Sequence, residues 1–178
     1  MTSPEQGFQP EQISPQEKLK LTTELGALLH NEWRAPRLKE DESYEPRFKV
    51  LIQTKEGKKK WYNEGEPNIP AGAEELQRQD IANTDFENLV PYFQEDNKMA
   101  AEAAMGEVFK AVENSIDLND SSFIESASSV IHDDWLKRNG YRATETQKKP
   151  YQELPEDEKE QDRTQLRKAI DIYKKSKT

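Results

Sequence analysis

Leu21-Thr22-Thr23-Glu24-Leu25-Gly26-Ala27-Leu28-Leu29-His30-Asn31-Glu32-Trp33 returns, 102 positions on (132 − 30 = 102), as Phe123-Ile124-Glu125-Ser126-Ala127-Ser128-Ser129-Val130-Ile131-His132-Asp133-Asp134-Trp135. In both stretches apolar residues recur at the three-to-four spacing of an amphipathic helix, and both end in His-x-x-Trp. A Pro-Tyr step follows each, Pro91-Tyr92 and Pro150-Tyr151, and then a second apolar helical face. The first of these faces is Ala101, Ala104, Met105, Val108 and Val112, and the second is Leu166, Ala169, Ile170 and Tyr173. Aligning Val108, Ala111 and Val112 with Leu166, Ala169 and Ile170 requires one residue gained or lost after the Pro-Tyr step. The doubling predicts two similar helix-pair halves and a mainly α fold with minor β content.

Working outward, Ser14-Pro15-Gln16-Glu17 reads as a capping box with proline at the first helical position, so a helix is expected to run from there to about Trp33. Ser122-x-x-Glu125 opens the matching helix, and Gly140 is expected to stop it in a left-handed conformation. Between the first His-x-x-Trp and Pro91 lies an insertion that the second copy lacks. Phe48–Thr54 is apolar and β-branched, Lys55–Lys58 can turn and Lys59–Tyr62 can return, which predicts a β-hairpin over about 47–63. Residues 64–72 read as a loop, and 73–82 as a short helix. A long helix is predicted from about Glu95 to Ser115, and a last one opens at Leu154-Pro155-Glu156. The expected organisation is a loose polar tail over 1–13, a first repeat over 14–116 and a second over 117–178.

Composition bounds the function. Of the 178 residues, 33% are hydrophobic and 34% charged, so each helix carries a narrow apolar stripe and the core is thin. A formal net charge of −9 disfavours capture of nucleic acid or anionic membranes, both of which require a basic face. No cysteine is present, which removes thiol nucleophiles, disulfides and cysteine-type zinc sites. Neither a secretory leader nor an 18-residue apolar run is visible, so a cytoplasmic protein is expected.

The second copy resembles the RyR domain, the repeat of ryanodine receptors. The residues that carry the likeness are Ile131-His132-Asp133-Asp134-Trp135 and Lys149-Pro150-Tyr151-Gln152-Glu153-Leu154-Pro155-Glu156-Asp157-Glu158-Lys159-Glu160-Gln161-Asp162-Arg163, within roughly residues 123–175. His30-Asn31-Glu32-Trp33 and Leu89-Val90-Pro91-Tyr92 look like a diverged copy with a long insertion. After the first helix the family has a Gly-aromatic-Gly segment, of which Asn139-Gly140-Tyr141 keeps only the start. The resemblance implies paired helices, copies joined with approximate two-fold symmetry, no enzymatic activity and a ligand-sensing role.

The candidate ligand residues are His30, Trp33, Tyr92, His132, Trp135 and Tyr151, read as lining a groove between the repeats. Each also has a purely structural reading: a histidine bonded at a helix end, an indole on an apolar stripe, a phenol packing a proline step. Lys58, Lys59, Lys60 and Trp61 form a basic-aromatic cluster, read either as a solvated hairpin tip or as a phosphate contact. HExxH, Gly-rich phosphate and GxSxG motifs are absent, and no metal ligand set, catalytic residue or cofactor is expected. The expected activity is therefore non-enzymatic binding of a small anionic or nucleotide-like ligand, or of a protein. The alternative is an adaptor that docks a protein through its hairpin and acidic surface.

Overall fold

The computed structural model describes residues 12–178, so the predicted tail lies outside the described residues apart from Gln12 and Ile13, of which Ile13 is buried. Helix occupies 55% of the chain and strand 12%, a mainly α protein with minor β content. The elements in order are α1 (Pro15–Arg34), β1 (Phe48–Gln53), β2 (Lys59–Asn63), β3 (Glu74–Asp80), α2 (Pro91–Glu113), α3 (Ser121–Asn139) and α4 (Glu156–Lys175). Short 3-10 turns, Phe86–Asn88 and Tyr151–Glu153, precede α2 and α4. Among the described residues no helix is long and apolar enough to cross a membrane.

By contact the chain divides into two compact units, one holding the residues up to Leu25 with Lys98–Thr178, the other Gly26–Asn97. Division by sequence likeness, into 14–116 and 117–178, cuts the chain differently. In the first unit, Leu21 and Leu25 of α1, Ala104, Met105 and Val108 of α2, Ala127 and Ile131 of α3, and Leu166 and Ala169 of α4 are almost fully buried. Each large apolar side chain so buried contributes about 1.5–3 kcal/mol. Helix α3 packs on α4, and the Gln165 side-chain amide of α4 donates to the Ala100 carbonyl of α2 at 2.9 Å. Lys18 of α1 meets Glu113 of α2 at 2.5 Å, and Lys177 meets Glu17 at 2.6 Å.

The α1 start is as read: the Glu17 amide donates to Ser14 Oγ at 3.2 Å. The α3 start is not. Asp120 caps it, accepting from the amides of Ser122 and Phe123, and the predicted box partner Glu125 is engaged elsewhere. At its far end Gly140 has φ −56° and stays right-handed, so the predicted left-handed stop is absent.

In the second unit the predicted hairpin forms, with Val50 opposite Tyr62 and Leu51 opposite Trp61, and Gly57 takes φ +80° in its turn. Residues 74–80 are a strand rather than the helix expected over 73–82. β3 pairs antiparallel with β1, giving the order β2-β1-β3. Glu-Glu-Leu-Gln-Arg-Gln-Asp favours helix by propensity, but β1 would otherwise leave a row of backbone donors and acceptors unpaired beside its buried residues, and pairing wins. Val50, Ile52 and Tyr62 bury one sheet face against Ile69 and Ala73.

One offset relates the later elements. Phe86 precedes Tyr151, Pro91 precedes Glu156, and buried Ala101, Ala104, Met105 and Val108 precede buried Leu166, Ala169, Ile170 and Tyr173, all by 65 positions (151 − 86 = 65). The expected gained or lost residue is therefore not needed. Pro91 begins α2, whereas Pro150 precedes a 3-10 turn, so the two Pro-Tyr steps are not equivalent positions.

Candidate functional site

His30 and His132 sit on the last turns of α1 and α3, each almost wholly buried. His30 Nε2 donates to the Thr84 carbonyl at 3.0 Å, and His132 Nε2 to the Lys149 carbonyl at 3.0 Å. Each carbonyl lies two residues before a 3-10 turn, so each histidine ties the end of one helix to the approach of the next. A carbonyl can only accept, which puts the ring proton on Nε2 in both.

The aromatic surroundings also match. His30 stacks on Trp33 (5.7 Å between centroids, 21°) and tilts against Phe86 (6.3 Å). His132 stacks on Trp135 (6.5 Å, 18°) and tilts against Tyr151 (6.4 Å). Beneath Phe86, a Cβ added to Gly26 would lie 2.9 Å from the ring, so the close approach of α1 to the turn requires glycine.

Beyond this shared frame the two nodes differ. Around His30, Phe86 joins Ile81, Leu89, Ala27 and Phe93 in an apolar cluster. Burial first, and then the nearby Arg34 charge, hold the His30 pKa below its ordinary value despite the Thr84 bond. Arg34 binds Asp85 at 2.8 Å and lies over the Tyr44 ring. Trp33 is 38% exposed and is covered on one side by Arg37, whose guanidinium lies 4.5 Å from the ring.

Around His132 the setting is polar. His132 Nδ1 lies 3.5 Å from Asp162 Oδ2, and burial, with Glu158 adding to it, pushes the Asp162 carboxyl up to about 6 against the pull of His132. A cavity of about 140 Å³ opens here, lined by His132, Trp135, Gln147, Glu158, Gln161, Asp162 and Gln165. By the offset of 65, Glu158 and Asp162 fall where the first copy has Phe93 and Asn97. Tyr151 closes the far side, its hydroxyl donating to Glu125 at 3.1 Å. Arg163 holds the same Glu125 through two bonds of 2.7 and 2.9 Å and also binds Glu156, so this guanidinium is fully engaged.

Of the residues read as one lining, His30, Trp33 and Tyr92 belong to one compact unit and His132, Trp135 and Tyr151 to the other. Tyr92 is 65% exposed, stacked on Trp61 at 6.3 Å and edge-on to Phe93 at 5.2 Å. Lys58, Lys59 and Lys60 are exposed, with Lys60 over the Tyr62 ring, while Trp61 is half-buried against Phe93. The hairpin cluster thus joins Tyr92 and not the histidines. Sequence reading passed over Gln147, Glu158, Gln161, Asp162 and Gln165. The signal was present, because 158, 161, 162 and 165 follow the i, i+3, i+4, i+7 rhythm of a single helix face.

Two other grooves adjoin the helices of this unit. One of about 620 Å³ is lined by Leu118, Ile124, Ile170, Arg163, Arg167 and Lys174, and these three cations already bind Glu125 and Glu156, Glu160, and Asn119 respectively. Another of about 370 Å³ lies along Ala103, Gly106 and Val130. Among the described residues no three His, Asp or Glu side chains converge as a metal site. Comparison with protein-family models, with curated proteins and with solved structures finds no match to this chain.

Proposed function

We propose that the chain is a non-enzymatic binding module built from two copies of a helix, 3-10 turn, helix unit of RyR type, with the second copy holding the ligand. The paired histidine–carbonyl bonds and the single offset of 65 support the doubling. The observation that carries the binding reading is the cavity beside His132, polar where the corresponding node of the first copy is apolar. A buried polar hollow with carboxylates at its wall is costly to keep for folding alone. The acidic lining favours a neutral or cationic group over an anionic one, so the phosphate of a nucleotide-like ligand would have to lie outside it. A thermal-shift screen of small planar compounds tests the reading. At least one compound raises the unfolding midpoint of the native chain and not that of Trp135→Leu; a panel that leaves both unchanged refutes it.

The adaptor reading has one observation of its own, the exposed Tyr92–Trp61 stack next to Lys58–Lys60. Tyr92→Ala together with Trp61→Ala abolishes partner capture if that surface docks a protein, while the His132 cavity is left intact.

A further inference from the structure

The hydrogen-bonding inventory of the His132 cavity is lopsided. Gln165 Nε2 donates to the Ala100 carbonyl at 2.9 Å, and the Gln161 and Gln147 nitrogens donate to Glu158 Oε2 at 3.4 and 3.5 Å. His132 Nε2 is held by the Lys149 carbonyl, and Gln147 Oε1 accepts from the Thr144 amide. These partners fix each amide orientation, since a carbonyl or carboxylate needs the nitrogen and an amide N–H needs the oxygen. What remains is four oxygens with no donor among the described residues: Gln161 Oε1, Gln165 Oε1, Glu158 Oε1 and Asp162 Oδ1. No lysine or arginine belongs to the lining, and the Trp135 indole completes it.

Such a wall calls for a donor-rich cation. Size narrows the choice, because a cavity of roughly 150 Å³ holds a six-membered ring and not a fused bicycle. Planarity narrows it again: a guanidinium presents five N–H groups in a flat fork, meets carboxylates two bonds at a time and rests against aromatic surfaces. We infer that the cavity lined by Trp135, Glu158, Gln161, Asp162 and Gln165 is a recognition site for a guanidinium group, carried by an arginine side chain or a small guanidino compound. The inference rests on the binding reading above and adds the chemical class.

The test titrates the intact chain with methylguanidine, its neutral isostere methylurea, and methylammonium, following the Trp135 indole N–H by NMR. Methylguanidine shifts that signal saturably, and each of the other two binds at least about tenfold more weakly, a difference of ~1.4 kcal/mol. Glu158→Gln weakens methylguanidine by a similar factor and leaves the ligand-free unfolding midpoint unchanged, as a half-exposed side chain allows. Methylurea binding as tightly as methylguanidine overturns the cationic class and leaves the pocket reading standing. Equal binding of methylammonium overturns the planar fork. If no probe moves the Trp135 signal, the inference and the pocket reading fall together.

Discussion

The His30 and His132 nodes begin from the same bond and end as different objects. Each histidine reaches a carbonyl 3.0 Å away just before a 3-10 turn, and each turn buries an aromatic ring beside the imidazole. On the early node Phe93 and its apolar neighbours seal the surroundings, and Arg34 with Asp85 closes the edge. On the late node glutamate stands at the position of that phenylalanine and aspartate at that of Asn97, and a polar hollow is left. The shared geometry is thus a fold requirement, and the difference is where selection for a ligand would show. A histidine common to both nodes is a structural clamp first.

The largest expected effects test the shared half of the comparison. Phe86→Ala and Tyr151→Ala each remove the buried ring that supports a histidine, and each should lower stability by about 3–5 kcal/mol in denaturant unfolding. A near-neutral result for one and not the other would break the equivalence of the two turns. Next come His30→Ala and His132→Ala, which leave the Thr84 or Lys149 carbonyl without its donor. A loss of about 1–3 kcal/mol is expected in each case.

A third measurement sharpens the difference. Asp162 faces His132 from α3 and Glu158 on its own helix, and its carboxyl is raised from 3.8 to about 6. A carboxyl raised in the folded state binds its proton more tightly there than in the unfolded chain. Its favourable contribution is full below the unfolded value and is lost as pH rises through the folded one. The stability of Asp162→Asn relative to the native chain should therefore rise between about pH 4 and pH 6 and level off above. A flat difference would mean that the carboxyl is not perturbed. The smallest effect belongs to the hairpin tip, where Lys58→Ala should change stability by no more than about 0.5 kcal/mol.

The helical fold was legible because its signals are local. Ser14-Pro15 and the leucines of α1 are read within one turn of each other, and the β-branched run at Val50–Ile52 announces its own strand. β3 was not legible, since nothing within Glu74–Asp80 prefers a strand and the cause lies in the unpaired edge of β1. The doubling was visible, but its register was not. Identical Pro-Tyr pairs drew the alignment to Tyr92, whereas the buried equivalent of Tyr151 is Phe86, which shares only its aromatic ring. Half of the candidate site suffered the same way. His132, Trp135 and Tyr151 stand out as rare residues, while Glu158, Gln161, Asp162 and Gln165 are common ones whose meaning appears only when α4 turns them toward α3. No local pattern distinguishes them from a solvated helix face.

The three-stranded sheet has one further implication. Neither outer strand has another strand beside it among the described residues; β2 carries Lys59 and Lys60 along its rim, β3 carries Glu74 and Glu75. Those charges are what keep one molecule from stitching onto the next. Acidification discharges the glutamate rim first, so slow self-templated fibre growth should start from β3 in mildly acidic solution. Replacing Gln77, an exposed residue in the middle of that strand, with proline should suppress it.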